Sequence, residues 1–423
     1  MKNWLSKSKF VSSSLALMLL RGGNVLVRTL LLFCIAKLTM PSDFGLVTIA
    51  LTVAEIGRYL ADMGLDTLVT REYAIADKPE DAARIAKTVA IYRTIAVVIV
   101  YLGTITLAGS YFGGGSTGLE ICLLVGLTIV STLAYTYSLS YFQARLRLPE
   151  VLFPVVGINI ATTGLAIIGF LQKIDFYWLL SLLPLSELAM AMYLGWRLQA
   201  AIDFWQAKFD TKLLPDLLKR SWPIAITLIT AALYSRLDGI FLVKMLSEAA
   251  VGYYGIAFRI IEPFQLATFG FSVSAYSRVS TIVAANDVKQ YYGFIKRFFT
   301  VLITYAAGVS IAIALLAPFF IQYLLPNYIP AIGIVRVLAL ALFFRTLTSN
   351  ITCIIQGHGY FRAITSVCLF NLLLIVPLLF ILVPIYGAVG AAIALTAGEA
   401  INTAIQGTIA YSASRRFAAA NQV

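Results

Sequence analysis

Residues 21–71 read RGGNVLVRTLLLFCIAKLTMPSDFGLVTIALTVAEIGRYLADMGLDTLVTR, and the fold turns on how this stretch is read. Its first part is an apolar run of helical length that carries Arg21 and Arg28. The run breaks at Thr39-Met40-Pro41-Ser42-Asp43 and resumes at Phe44-Gly45 as a second apolar helix, with Glu55 and Arg58 on it. Two such helices have little polar surface to show to water. In a bilayer they form a hairpin with guanidinium groups at depth, where a central arginine costs about 2.5–3.5 kcal/mol on the insertion scale. That cost is sustained only where the arginine meets a polar cavity or a partner. The stretch therefore predicts a site for an anion inside the membrane. Arg21 and Arg28 suit one site, because a spacing of seven leaves them about 20° apart on a helix.

The whole chain agrees. Its 423 residues are 60% hydrophobic and 12% charged, with mean hydropathy +0.88, whereas a soluble domain is about 25% charged. The class is all-α, a polytopic membrane protein with little mass outside the bilayer. The 32 Lys and Arg against 20 Asp and Glu give a net charge of +12. Cytoplasmic loops and intrahelical arginines explain this surplus better than nucleic acid does. Cys34, Cys122, Cys353 and Cys368 lie in apolar runs without metal-ligand spacing and read as packing residues. No metal site, nucleophile motif or phosphate-binding loop stands in a credible context, so the reading needs no cofactor and no catalytic residue. Lys2, Lys7 and Lys9 precede the first apolar run in the manner of a signal peptide. The run is too long for one and no small-residue cleavage site follows, which predicts a retained first helix.

About 20 apolar residues are needed to span a bilayer. Twelve segments qualify, at about 11–37, 44–64, 88–111, 118–142, 151–171, 175–197, 221–245, 250–275, 297–322, 331–356, 363–383 and 386–411. Twelve spans put both termini on one side. Loops and termini on that side hold 21 of the 32 basic residues, the opposite side holds only Lys37, Lys173 and Lys244, and the remaining 8 lie within helices. The asymmetry predicts cytoplasmic termini. The segment Gln199–Arg220, with Phe204, Trp205, Leu213, Leu214 and Leu217 among charges, is expected to lie along the cytoplasmic interface and to link two halves. These are an N-lobe, 1–210, and a C-lobe, 211–423.

The halves repeat. Arg28 precedes Gly45 by 17 residues and Arg236 precedes Gly252 by 16. Glu55 and Glu262 each follow their glycine by 10, and Gly64 and Gly270 follow by 19 and 18. Six helices per half is an even number, so the halves insert the same way up, as parallel repeats around a midplane site.

Ionisable residues at depth also include Arg259, Arg336, Arg345, Glu187, Asp238 and Glu399, with Asp62 near a helix end. One reading is that they pair off structurally. Glu55 and Arg58 are spaced i,i+3, as are Arg259 and Glu262, and such pairs can meet. Arg21, Arg28 and Arg236 have no acidic residue three or four positions away, which favours a cavity role. Asp238 and the two glutamates serve either ion coupling or structural pairing. Arg336 and Arg345, nine apart, fall on opposite faces. Arg93, near the cytoplasmic end of the third span, is expected to snorkel. Tyr137 and Tyr141 share a face, where they could stack on sugars or form an interfacial belt. His358, in the turn Gly357-His358-Gly359, reads as a solvated loop residue.

Three stretches carry a resemblance. LTMPSDFGLVTIA followed by ADMGLDTLVTRE resembles the first hairpin of the Wzx-like oligosaccharide flippases of the multidrug/oligosaccharidyl-lipid/polysaccharide (MOP) exporter superfamily. YSRLDGIFLVKMLSEAAVGYYGIAFRI resembles the start of their second half, and VPIYGAVGAAIA their last helix. The resemblance implies two six-helix lobes around a central cationic cavity in a bacterial inner membrane. It implies transfer of an undecaprenyl-pyrophosphate-linked oligosaccharide, of the O-antigen kind, to the outer leaflet. Arg21, Arg28, Arg58 and Arg236 occupy places comparable to arginines of the related lipid II flippases, and Arg259 joins them as a candidate ligand. Implied partners are the lipid-linked glycan, membrane lipids, a proton or sodium counter-ion, and the polymerase machinery that uses the glycan. The two extra helices of lipid II flippases are missing, which points to the oligosaccharide branch. Two other readings compete. A multidrug exporter of the same superfamily would carry cations and want an acidic or apolar cavity. A membrane glycan polymerase would want a long extracytoplasmic loop, and none is present.

Overall fold

The computed structural model describes residues 2–76, 78–112 and 116–420. Gly114, in the loop after the third predicted span, and the side chains of Lys2, Lys7, Lys9 and Arg362 lie outside the described residues. Among those described there is no strand. The helices are α1 (Lys2–Leu38), α2 (Pro41–Asp62), α3 (Leu65–Ile75), α4 (Pro79–Phe112), α5 (Thr117–Ala144) and α6 (Pro149–Leu171). They continue with α7 (Phe176–Gln199), α8 (Leu213–Met245), α9 (Glu248–Ala284), α10 (Val288–Leu324), α11 (Ala331–Gly357) and α12 (Phe361–Ala420). Local chemistry sets their ends. Pro41, Pro79 and Pro149 each occupy the first helical position, where a missing N–H is no loss. Side chains of Ser116, Asp175, Ser247 and Asp287 cap α5, α7, α9 and α10.

All twelve predicted spans fall on long helices. Ten described helices are long and apolar enough to cross a membrane, α12 counting once; α9 stands outside that count. This is a multi-pass membrane protein. The kink in α12 is at Gly387, whose φ of 60° and ψ of −140° suit a residue without Cβ. It divides α12 into the last two predicted spans.

The repeat is visible in the element bounds. α2 begins at Pro41 and α9 at Glu248, each four residues before its glycine, Gly45 or Gly252. Where α9 runs unbroken for 37 residues, the first half is broken at Met63 and Gly64, both with positive φ. α3 is the far side of that break. The sequence alone makes it a loop, because two residues suffice to interrupt the helix. Gly64 admits no side chain: its Cβ position lies 2.8 Å from the Ala225 amide nitrogen and 2.9 Å from the Ser221 carbonyl of α8.

The chain divides into two compact units. One comprises Met1–Thr39 and Leu46–Leu233, the other Met40–Gly45 and Tyr234–Val423. In the first, α5 packs on α7, α4 and α3, and α1 on α6 and α7. Its core holds Leu20, Tyr73, Phe142, Val151, Leu194 and Leu217. In the second, α11 is central and packs on α12, α9 and α10.

The segment between α7 and α8 divides at Leu213. Residues 200–212 are irregular, and Leu213 onward belongs to α8. Asp210 anchors it: its amide donates to Thr88 Oγ1 at 3.2 Å and its carboxylate accepts from Lys212 N and Leu213 N at 2.8 and 3.0 Å. Those amides hold the Asp210 carboxyl below the usual carboxylate range. Trp196, Trp205 and Trp222 stand exposed here, and Lys87 lies over the Phe204 and Trp205 rings at 4.8 and 5.2 Å, a composition suited to a headgroup layer.

Candidate functional site

In the first unit, Arg21, Asn24 and Arg28 follow one another at i,i+3 and i,i+7 along a single face of α1. Arg21 is exposed and Arg28 half-buried. The Arg28 Nε is buried and meets no hydrogen-bond partner among the described residues. Asn24 Oδ1 accepts from Asn159 Nδ2 of α6 at 2.7 Å. On α7, one oxygen of Glu187 accepts from Ser131 Oγ at 3.0 Å and from Thr132 Oγ1. Arg58 of α2 lays its guanidinium over the Tyr59 ring at 4.0 Å, and Glu55 is half-buried on the same helix.

Arg93 does not snorkel. It is 5% exposed and its guanidinium binds Asp62 of α2 and, at 2.6 Å, Asp66 of α3. Asp62 in turn accepts from the Asp66 amide at 3.2 Å. The triad ties the break between α2 and α3 to α4, so it is structural. Tyr137 and Tyr141 belong to the same packing and not to an open glycan face. The Tyr137 hydroxyl donates to the Ala86 carbonyl at 2.9 Å, and Tyr141 is buried edge-to-face against Tyr73 at 5.6 Å.

In the second unit, Arg236 lies over the Phe258 ring at 5.1 Å. Asp238 is buried and accepts from Tyr254 Oη and, at 2.8 Å, from the Gly239 amide. Arg259 and Glu262 form the pair their spacing predicts. Arg345 approaches Glu399 at 3.9 Å and lines a cavity of about 250 Å³ with Gln265, Thr268, Ser272, Leu342, Thr346 and Ser349. Arg336 is exposed on the other face of α11, as the spacing of nine predicts. His358 is not a solvated loop residue. It closes α11, packs edge-to-face on Tyr291 and Phe417 at 5.3 and 5.9 Å, and keeps a buried Nε2 without a partner. Burial pushes its pKa down. No group of three or more His, Cys, Asp or Glu able to hold a metal occurs among the described residues.

The sequence reading missed Asn24, Asn159 and Glu187's hydroxyl partners. Asn24 had a signal, since it falls between Arg21 and Arg28 on their own face. Asn159 had none, because a lone asparagine in an apolar run does not reveal which helix it meets.

Residues 34–325 match the family described as polysaccharide biosynthesis protein. The chain belongs to this family. The chain is similar to an inward-facing multidrug resistance MATE transporter of the MOP superfamily, with TM-score 0.75 and 15% identity over 96% of this chain and 98% of that one. It is similar to the lipid II flippase MurJ in an inward closed conformation, with TM-score 0.70 and 15% identity over 96% and 90%. It is also similar to a MOP superfamily transporter from Pyrococcus furiosus described by the reversed polarity of its binding pocket, with TM-score 0.63 and 15% identity over 99% and 97%. No curated protein matches the sequence. At such identities the likeness establishes the fold, that of MOP-superfamily transporters.

Proposed function

We propose that this member of the polysaccharide biosynthesis family is a flippase. It moves an undecaprenyl-pyrophosphate-linked oligosaccharide from the cytoplasmic to the outer leaflet of a bacterial inner membrane, with both termini cytoplasmic. Arg28 carries the reading. It lies midway along the apolar stretch Leu15–Leu38, and its buried Nε has no partner among the described residues. Arg93, Arg259 and Arg345 each have a carboxylate. A guanidinium N–H left unmatched at depth is satisfied by an anionic oxygen of the cargo, and the planar fork suits phosphate. Arg21, Arg58 and Arg236 add positive charge to the same task, and the two halves alternate access to it. An anion moving outward gains about 2.3 kcal/mol per charge per 100 mV of membrane potential.

The multidrug reading has the MATE likeness on its side. Arg21, Arg28 and Arg236, however, would repel a cationic drug. Deleting the gene decides between them. The flippase reading expects lipid-linked oligosaccharide to accumulate on the cytoplasmic leaflet and surface polysaccharide to fall. Normal surface glycan with altered sensitivity to cationic drugs would put the multidrug reading in its place.

A further inference from the structure

The first unit holds a polar cluster that pyrophosphate binding does not use. Asn159 stands near the middle of α6, Glu187 near the middle of α7, and Ser131, Thr132 and Tyr135 near the middle of α5. Asn24 joins them from α1. Tyr135 stands one helical turn from Ser131 and Thr132 on α5, the two residues that bond Glu187, and it interacts electrostatically with Asn24.

Glu187 differs from the deep carboxylates that hold an arginine, and from Asp238, which is buried with both oxygens bonded. Asp62 and Asp66 have Arg93, Glu262 has Arg259 and Glu399 has Arg345. The partners Glu187 has among the described residues are two hydroxyls, both on one oxygen. Its side chain is half-buried, so the other oxygen is open. A half-open carboxylate midway along a membrane helix does not face lipid; it faces a water-lined space or a polar cargo. The amides beside it are similarly incomplete. The Asn159–Asn24 bond uses one N–H of Asn159 and the Asn24 carbonyl oxygen, which leaves the second N–H and the side-chain oxygen of Asn159 and the amide nitrogen of Asn24 to bond elsewhere.

We infer that Glu187, Asn24 and Asn159 form a sugar subsite that reads the first residues of the glycan. A carboxylate oxygen accepts from ring hydroxyls, and amides exchange both donors and acceptors with hydroxyls or an N-acetyl group. This set matches a neutral polyhydroxylated cargo. It would not hold a second phosphate, which Glu187 repels. Asn24 lies one turn from both Arg21 and Arg28 on the same face of α1, so the subsite lies beside the pyrophosphate end, where the sugar attached to that phosphate must lie.

The inference rests on the flippase reading, and the experiment separates the two. Purified full-length protein is titrated with undecaprenyl pyrophosphate and, separately, with the lipid-linked oligosaccharide extracted from the host's own membranes. Glu187→Gln, isosteric and uncharged, and Asn24→Ala are expected to bind the glycan-bearing lipid about tenfold more weakly and undecaprenyl pyrophosphate unchanged. Arg28→Ala weakens both. Equal weakening of both lipids by Glu187→Gln, or no change in either, overturns the subsite. An unchanged affinity that becomes insensitive to pH or sodium also overturns it and makes Glu187 an ion ligand. If wild-type protein binds neither lipid, the flippase reading falls with it. Melting temperature in detergent, measured beside each titration, shows that the variants are folded; an unfolded Asn24→Ala leaves Glu187→Gln to decide.

Discussion

Gly45 and Gly252 face one another backbone to backbone. A methyl on Gly45 would collide with the Glu248 carbonyl and lie 3.2 Å from the Gly252 amide nitrogen. A methyl on Gly252 would collide with the Pro41 carbonyl and lie 3.3 Å from the Gly45 amide nitrogen. Each glycine meets the carbonyl four residues before the other, so the first turns of α2 and α9 cross about a local two-fold axis.

This symmetry makes a stability prediction. Gly45→Ala and Gly252→Ala should each destabilise by roughly 1–3 kcal/mol, as overpacking against rigid backbone does. The double variant should lose less than the sum, because moving the two turns apart relieves both clashes. Thermal melts in detergent measure this; strictly additive losses would mean that the two sites are not one contact.

The ion triad predicts a different pattern. Arg93→Ala strands Asp62 and Asp66 in the interior and should cost about 3–5 kcal/mol. Adding Asp62→Asn should recover part of that loss, since one stranded charge disappears. Full stability of Arg93→Ala would show that the guanidinium reaches water after all.

Arg28 and Arg236 hold equivalent places in the two halves. If both grip one pyrophosphate, Arg28→Ala and Arg236→Ala should each abolish surface polysaccharide at normal membrane abundance. Arg28→Lys should retain partial activity, because it keeps charge and loses the fork. The double alanine variant should look like either single one, since groups acting as a unit are not additive. Wild-type polysaccharide output from the double variant sinks the shared grip.

His358 predicts a pH dependence. Burial lowers its folded pKa below the unfolded value of about 6.5. The unfolded chain therefore binds the proton more readily. The stability that neutral His358 contributes is complete above the unfolded pKa and is lost as pH falls through the folded one. His358→Phe, seated between Tyr291 and Phe417, should remove that slope from melts taken between about pH 7 and 5. An unchanged slope would assign it to another group.

Topology can be checked directly. Reporter fusions after Val423 and at Phe209 should report cytoplasm, and one at Gly114 the opposite side. A C-terminus facing outward would contradict the charge distribution.

Hydropathy made the long helices legible, because every span must hide its backbone and therefore be apolar along its length. The register of the repeat was legible too, since Gly45 and Gly252 sit at equal distances from Glu55 and Glu262. What could not be read was who meets whom. Arg93 looks like a snorkelling residue until α2 and α3 bring Asp62 and Asp66 to it. Tyr141 looks like a belt residue until Tyr73 covers it. Only a local pair such as Arg259 and Glu262, on one helix, declared its partner in advance.

The crossing of Gly45 with Gly252 bears on ancestry. Had this chain begun as two copies of one shorter protein, those glycines would have been a single position lying on the dyad of a homodimer and touching its own duplicate. One substitution there would have struck the interface twice at once. Fusion of the copies into one gene would have removed that double jeopardy and let the halves diverge, as they now differ in the break at Met63 and Gly64 where α9 is whole. The steric demand at the crossing would outlast the fusion, and glycine stands on both sides of it.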